Sequence, residues 1–233
     1  MHKCLLITGG SRGIGEKTAA LFLKQGWQVI NFSRTPCQTK GVINMQVDLA
    51  NFALSAAQSA ELKQLLAQSE QICIVHNAAV YHDDNIKSLT AESLTKVLDI
   101  NLTVAITVNN LCTPYMKAGS SIIYIGSTLS EIAVPNRASY IISKHAIVGL
   151  MRVTCQDLAA EKIHTCCICP GLANTKMLTE NADMAALQTF IEKKVIMGRL
   201  IEPQEIAELI AFCADHPVMN GAVLHANLGH LMS

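Results

Sequence analysis

The chain has 233 residues, half of them hydrophobic and 15% charged, with 18 basic side chains balancing 18 acidic ones. That supplies enough apolar material for a substantial core and excludes a disordered chain, and the lack of a basic run argues against a nucleic-acid partner. No leader pattern and no apolar run of the ~18 residues needed to cross a bilayer is visible, so the nine scattered cysteines read as reduced thiols and the cytoplasm is the expected compartment, with no membrane partner.

The first apolar run, Lys3–Thr8, predicts a strand, and a helix over Gly13–Gln25 follows, ended by Gly26. Between them lies Thr8-Gly9-Gly10-Ser11-Arg12-Gly13-Ile14-Gly15. Gly9 permits a sharp turn, Gly13 a close approach of pyrophosphate to the backbone, and Gly15 close packing of helix on strand. The helix N-terminus adds unpaired N–H groups and a positive partial charge. Lys17 lies two residues past Gly15 and no Gly-Lys-Ser/Thr follows, so this is not a P-loop for nucleoside triphosphate hydrolysis.

The second strand, Gln28–Ser33, ends in Asn31-Phe32-Ser33-Arg34, without the carboxylate that usually binds an NAD ribose. Arg34 and Arg12, with the Ser33 hydroxyl, suit a ribose 2′-phosphate instead, which predicts NADP(H). The third strand, Val42–Val47, precedes Asp48-Leu49, a contact for adenine or a helix cap. A helix over Ala53–Ser69 and a strand over Gln71–His76 come next. Asn77-Ala78-Ala79 then provides small residues for the cofactor to lie against, or a plain turn.

A long helix is predicted over Ser93–Met116, with Asn101 inside it, where asparagine is disfavoured unless it has a partner. The strand Ser121–Gly126 ends at Ser127. The helix Ser139–Ala160 carries Tyr140 and Lys144 four residues apart, on one face. A nearby ammonium is expected to lower the phenol pKa and make it a usable general acid/base. The strand His164–Cys169 leads into Pro170-Gly171. Helices Met184–Val195 and Pro203–Asp215 and a strand over Ala222–Ala226 complete the chain. This alternation predicts an α/β fold: a single doubly wound domain over residues 1–233 with a mostly parallel seven-stranded sheet, whose ligands bind beyond the carboxyl ends of the strands.

Thr8–Gly15, Asp48, Asn77-Ala78-Ala79, Asn101, Ser127, Tyr140, Lys144 and Pro170-Gly171 occur in one order along nearly the whole chain. In this the sequence resembles the short-chain dehydrogenase/reductase family, of Rossmann type. The run through Gly198-Arg199 and Pro203-Gln204-Glu205-Ile206-Ala207 is similar to its 3-oxoacyl-carrier-protein reductase branch. Two departures are the single basic residue in Tyr115–Gly119 and Asn227-Leu228-Gly229-His230 where Asp-Gly-Gly is usual.

The resemblance implies hydride exchange between NADP(H) and a small carbonyl or alcohol. Tyr140 is then the acid/base and Ser127 the hydrogen-bond partner of the substrate oxygen. Lys144 is the ribose ligand, and Asn101 the holder of a relay water. It also implies that Pro170, Gly171 and Thr175 flank the nicotinamide, and that residues 174–199 form a lid offering Met177, Leu178, Met184, Leu187, Phe190 and Ile191. Substrate contacts are expected from Ser127, Leu129, Tyr140, Leu172 and Met177, with Glu131, Val134, Asn136 and Arg137 on the neighbouring loop. A homo-oligomer, tetramer or dimer, is expected through the two long helices. Their apolar residues Val97, Ile100, Val104, Val108, Val148 and Met151 serve either that interface or the sheet.

No metal site is expected. Cys166-Cys167-Ile168-Cys169 lies in a strand whose side chains alternate between faces. Two other classes of function stay open on the sequence: an epimerase or dehydratase on the same scaffold, and a non-catalytic dinucleotide sensor.

Overall fold

A computed structural model describes residues 2–180 and 183–230. Its seven strands are β1 (Lys3–Thr8), β2 (Gln28–Ser33), β3 (Ile43–Gln46), β4 (Gln71–His76), β5 (Ser121–Ile125), β6 (His164–Pro170) and β7 (Val223–Ala226). They form one sheet in the order β3-β2-β1-β4-β5-β6-β7, every neighbouring pair parallel. The sheet is therefore wholly parallel, and its order reverses between β1 and β4, where a crevice opens at the carboxyl ends. Strands such as β5 are buried along their whole length because helices cover both faces.

The helices are α1 (Gly13–Lys24), α2 (Ala56–Ala67), α3 (Ala91–Leu98), α4 (Val104–Cys112), α5 (Ala138–Asp157), α6 (Lys176–Thr179), α7 (Met184–Lys194) and α8 (Pro203–Asp215). Phe22 of α1 and Ile206 and Ile210 of α8 pack with Leu5, Ile7 and Val75 on one face. Leu62 of α2, Val108 of α4 and Met151 of α5 pack with Leu6, Ile74 and Ile122 on the other. α2 starts three residues later than predicted because Ser55 and Gln58 form a reciprocal cap there. No helix among the described residues is long and apolar enough to cross a membrane.

The helix predicted over Ser93–Met116 runs without a gap from Ala91 to Cys112 but is irregular inside. A π-helical turn over Asp99–Thr103 separates α3 from α4, and a 3-10 turn over Thr113–Tyr115 ends it. Helical periodicity does not reveal a single inserted residue, and such bulges gather at functional sites. Val104, Val108, Val148 and Met151 turn inward to the sheet and are buried, and Val97 is buried on α3, which packs against α5. The outward apolar residues of these helices are Ile106, Ile142 and Val153.

Below the crevice runs a buried polar chain. His76 Nε2 meets Asn109 Oδ1 at 2.8 Å, Asn109 Nδ2 donates to the Tyr124 hydroxyl at 2.7 Å, and that hydroxyl meets Thr154 Oγ1 at 2.8 Å. Burial pushes the His76 imidazole down to about 4, the Asn109 contact opposing it. An unfolded His76 takes up its proton near pH 6.5, so this group stabilises the fold above that value and loses its contribution as pH falls towards 4. Urea titrations are expected to show wild type losing on the order of 3 kcal/mol more than His76→Asn across that window. Parallel acid profiles would show that His76 is not responsible.

Candidate active site

The glycine loop is braced from β4. The Thr8 hydroxyl accepts from the backbone N–H groups of Asn77 and Ala78, both at 3.1 Å, and Asn77 Nδ2 donates to the carbonyls of Thr8 and Gly9 at 3.2 and 3.0 Å. Gly9 has φ +70°, and a Cβ there would meet Ala78 Cα at 3.0 Å, which explains the small residue after Asn77. A Cβ on Gly13 would meet Thr175 Cγ2 at 3.1 Å, so Thr175 lies over the loop at the start of α1. The first-turn N–H groups of α1 have no acceptor within the helix. A glycine cradle with free backbone donors fits a pyrophosphate.

At the end of β2 the Ser33 hydroxyl donates to Thr35 O at 2.6 Å and accepts from Asn31 Nδ2 at 2.8 Å and from Ser11 Oγ at 2.9 Å. Ser33 and Ser11 thus hold the loop shape. Asn31 Oδ1 accepts from Gly10 N at 2.8 Å, tying this turn to the glycine loop. Arg12 and Arg34 remain exposed and enter no ion pair among the described residues. Asp48 caps the 3-10 turn Leu49–Asn51, its carboxylate accepting from Ala50 N at 3.1 Å; Leu49 is buried and Ala79 half-buried.

Ser127, Tyr140 and Lys144 come together beyond β5. Ser127 caps the 3-10 turn Thr128–Ser130, its oxygen accepting from Leu129 N at 3.1 Å. The same hydroxyl reaches the Tyr140 phenol. Lys144 is buried, its Nζ 5.4 Å from the Tyr140 ring centre and donating to Ile125 O at 2.7 Å. Burial pushes Lys144 down to about 8. It also pushes Tyr140 up to about 12, with the Ser127 hydroxyl pulling the other way. Desolvation, not the expected ammonium, sets the direction of the phenol's shift, and the Lys144 head group is held on a backbone carbonyl. Tyr140 is a protonated donor at neutral pH, and two of the three Lys144 protons are left for a ligand.

Asn101 does not reach Lys144 with its side chain. Its Oδ1 accepts from Val80 N at 2.8 Å, and its Nδ2 donates to Val80 O at 3.0 Å and to Ser143 Oγ at 3.0 Å. Ser143 Oγ in turn donates to Tyr140 O at 2.7 Å. The side-chain amide ties the segment after β4 to the first turns of α5, and the π-helical turn swings it inward.

Pro170 ends β6 and Gly171 donates to Ala226 O at 3.0 Å. Leu172 and Leu129 are half-buried, Leu172 O accepting from Ile201 N at 2.9 Å. Met177 is exposed on α6, a turn absent from the predicted elements, while Ile191 is buried on α7. Residues 181 and 182 of the expected lid lie outside the described residues.

Sequence reading missed Tyr81. Its ring meets the Tyr140 ring edge-on at 5.2 Å and carries the Arg137 guanidinium at 4.6 Å. The available signal was an aromatic residue just after a strand-end segment that faces the crevice. Aromatic residues are too common in cores for that to stand alone.

A family model described as enoyl-(acyl carrier protein) reductase matches residues 9–230. The chain belongs to the short-chain dehydrogenase/reductase family. It is 26% identical over 224 residues to a 3-oxoacyl-(acyl-carrier-protein) reductase of Thermotoga maritima, covering 91% of this chain and 90% of the relative. It is 31% identical over 229 residues to protein FixR of Bradyrhizobium diazoefficiens, covering 91% and 81%. A crystal structure of a short chain dehydrogenase family protein from Francisella tularensis superposes with a TM-score of 0.84 at 27% identity, covering 98% of each chain. This short-chain dehydrogenase/reductase is therefore an oxidoreductase acting on a carbonyl or alcohol with a nicotinamide dinucleotide.

Proposed function

We propose that this protein is an NADP(H)-dependent reductase of a small carbonyl compound, running in reverse as a dehydrogenase of the secondary alcohol. The convergence of a protonated Tyr140 phenol, the Ser127 hydroxyl and the buried Lys144 ammonium beyond β5 carries this reading. The nicotinamide, when bound, supplies the two-electron hydride exchange. Ser127 donates to the substrate oxygen while its own oxygen is fixed by Leu129 N. Tyr140 gives its proton to that oxygen as negative charge develops there. Lys144 directs its remaining protons to ribose hydroxyls, with Ile125 O fixing its head group. Asn101 holds Val80 and Ser143 so that the Tyr140 turn keeps its place.

Gly9, Ser11, Gly13, Ile14 and Gly15 form the phosphate cradle, Thr175 covers it, and Asn77, Ala78 and Ala79 form the wall beside it. Asp48 and Leu49 border the adenine end, and Pro170 and Gly171 the nicotinamide end. Two unpaired guanidiniums beside Ser33 support NADP(H) over NAD(H). The nine thiols are all free and buried, which supports a reducing compartment such as the cytoplasm. The outward Ile106, Ile142 and Val153 support self-association of this single domain.

The test is NADPH absorbance with a panel of β-keto thioesters, cyclic ketones, sugars and keto acids. Oxidation of NADPH by at least one carbonyl is expected; cofactor binding with no oxidation by any would leave a sensor. NADPH is expected to exceed NADH at least tenfold in kcat/KM. Arg34→Ala is expected to remove most of that ratio while sparing the NADH rate. Equal rates with both cofactors in wild type would overturn the assignment.

A further inference from the structure

Outside the Ser127–Tyr140–Lys144 centre, a guanidinium stands one aromatic ring away from Tyr140. Arg137 is the residue before α5 and Tyr140 the third residue within it, a spacing that puts both on one side of the helix start. Tyr81 fills the space between them. Its ring touches the Tyr140 ring edge-on at 5.2 Å, and the Arg137 guanidinium carbon lies 4.6 Å from its centre. The arrangement is stitched from both sides. Ala138 N donates to Asp84 O at 3.2 Å, Ser139 N donates to Asp84 Oδ1 at 2.9 Å, and Asn85 Nδ2 donates to Asn136 Oδ1 at 3.4 Å.

Among the described residues the guanidinium hydrogen-bonds through Nη1 alone, to Asp83 Oδ1 and to Asn136 O. An arginine has five N–H donors, so the two on Nη2 and the one on Nε have no protein acceptor. They form the edge that receives a carboxylate through two parallel bonds. The Arg137 side chain is 27% exposed, enough for a ligand to reach that edge yet partly shielded from water. Asp83 on the opposite edge cancels one unit of charge, which disfavours a dianion more than a monoanion.

We propose that Arg137, held on Tyr81, is the carboxylate-binding residue of the substrate site, and that the substrate is a keto or hydroxy acid whose carboxylate lies a few bonds from the reacting carbon. This rests on the reductase reading above. Tyr140 and Ser127 take the carbonyl oxygen, Tyr81 gives the flat wall between, and the open guanidinium edge takes the acid group. The carboxylate is an anchor and takes no part in the chemistry.

The test uses the full chain with NADPH and keto acids of four to seven carbons, each beside its methyl ester. Wild type is expected to favour at least one acid over its ester by tenfold or more in kcat/KM, chiefly through KM. Arg137→Met is expected to bring that ratio near one, and Arg137→Lys to keep part of it. Taking the ratio within each variant cancels any general loss of activity. Calorimetric titration of the same acids into the NADPH-loaded protein reads the site without turnover. Acid binding that disappears in Arg137→Met, with no carbonyl reduced, would support the carboxylate site and overturn the reductase reading. Reduction of acids and esters at equal kcat/KM, or an acid preference surviving in Arg137→Met, would overturn the carboxylate site and leave the reductase reading intact.

Discussion

Tyr140→Phe is expected to lower kcat by about a thousandfold or more while NADPH still binds with its wild-type Kd. Positioned proton transfer contributes roughly 10²–10⁴-fold, and the two other polar groups of the expected set are engaged elsewhere. Lys144 is turned to Ile125 O, and the Asn101 amide is engaged on Val80 and Ser143. The substitution removes one oxygen and keeps the ring against Tyr81, so the fold and the cofactor crevice stay as they are. Single-turnover NADPH oxidation measures the chemical step and fluorescence titration the binding. A kcat within threefold of wild type would remove Tyr140 from the proton-donor role. The raised phenol also gives a sign for pH: Tyr140 stays protonated from pH 6 to 9, so reduction is expected to be flat until Lys144 begins to lose its proton near 8, whereas alcohol oxidation, which needs the phenolate, climbs from pH 6 to 8.

Gly15→Ala is expected to weaken NADPH binding at least a hundredfold, about 3 kcal/mol. A Cβ there would fall inside contact distance of the Gly9 carbonyl oxygen, 2.7 Å from Asn77 Nδ2 and 3.0 Å from Gly10 Cα. Relief requires moving the backbone of the phosphate cradle, or breaking the Asn77 bonds that brace it. The control is Gly149→Ala in α5, where an added Cβ meets nothing within 4 Å. Helix propensity favours that change by roughly 0.5–1 kcal/mol, so its Tm is expected to hold or rise. Unaltered NADPH affinity in Gly15→Ala would mean the cradle is looser than its contacts imply.

The parallel sheet and the crevice were legible because their determinants are local. Near-continuous apolar runs such as Ile72-Cys73-Ile74-Val75 mark strands covered on both faces, and glycines at fixed offsets mark the loop after β1. Ser127, Tyr140 and Lys144 were legible as a set of residue types in order. Their electrostatics were less so: proximity of an ammonium suggested a lowered phenol, whereas burial raises it and Ile125 O holds the lysine. Asn101 illustrates the same limit. Its type and burial were predictable, but its partners Val80 and Ser143 depend on a π-helical turn that periodicity cannot register. The turn that Ser33 makes with Thr35 O and Ser11 was likewise not legible, because it depends on how the loop closes. Tyr81 gains significance only from two neighbours that approach through space.

The nine buried thiols also give the molecule a built-in gauge of its own opening. Cys4, Cys112, Cys167 and Cys169 belong to one face of the sheet, and Cys37, Cys73, Cys166 and Cys213 to the other. Burial pushes Cys4, Cys73 and Cys112 up to about 12, so in the closed protein they are neither reachable nor ionised. An alkylating reagent therefore reads fluctuations that expose each layer. Mass-resolved labelling would show whether the helices on the two sides detach together or one before the other.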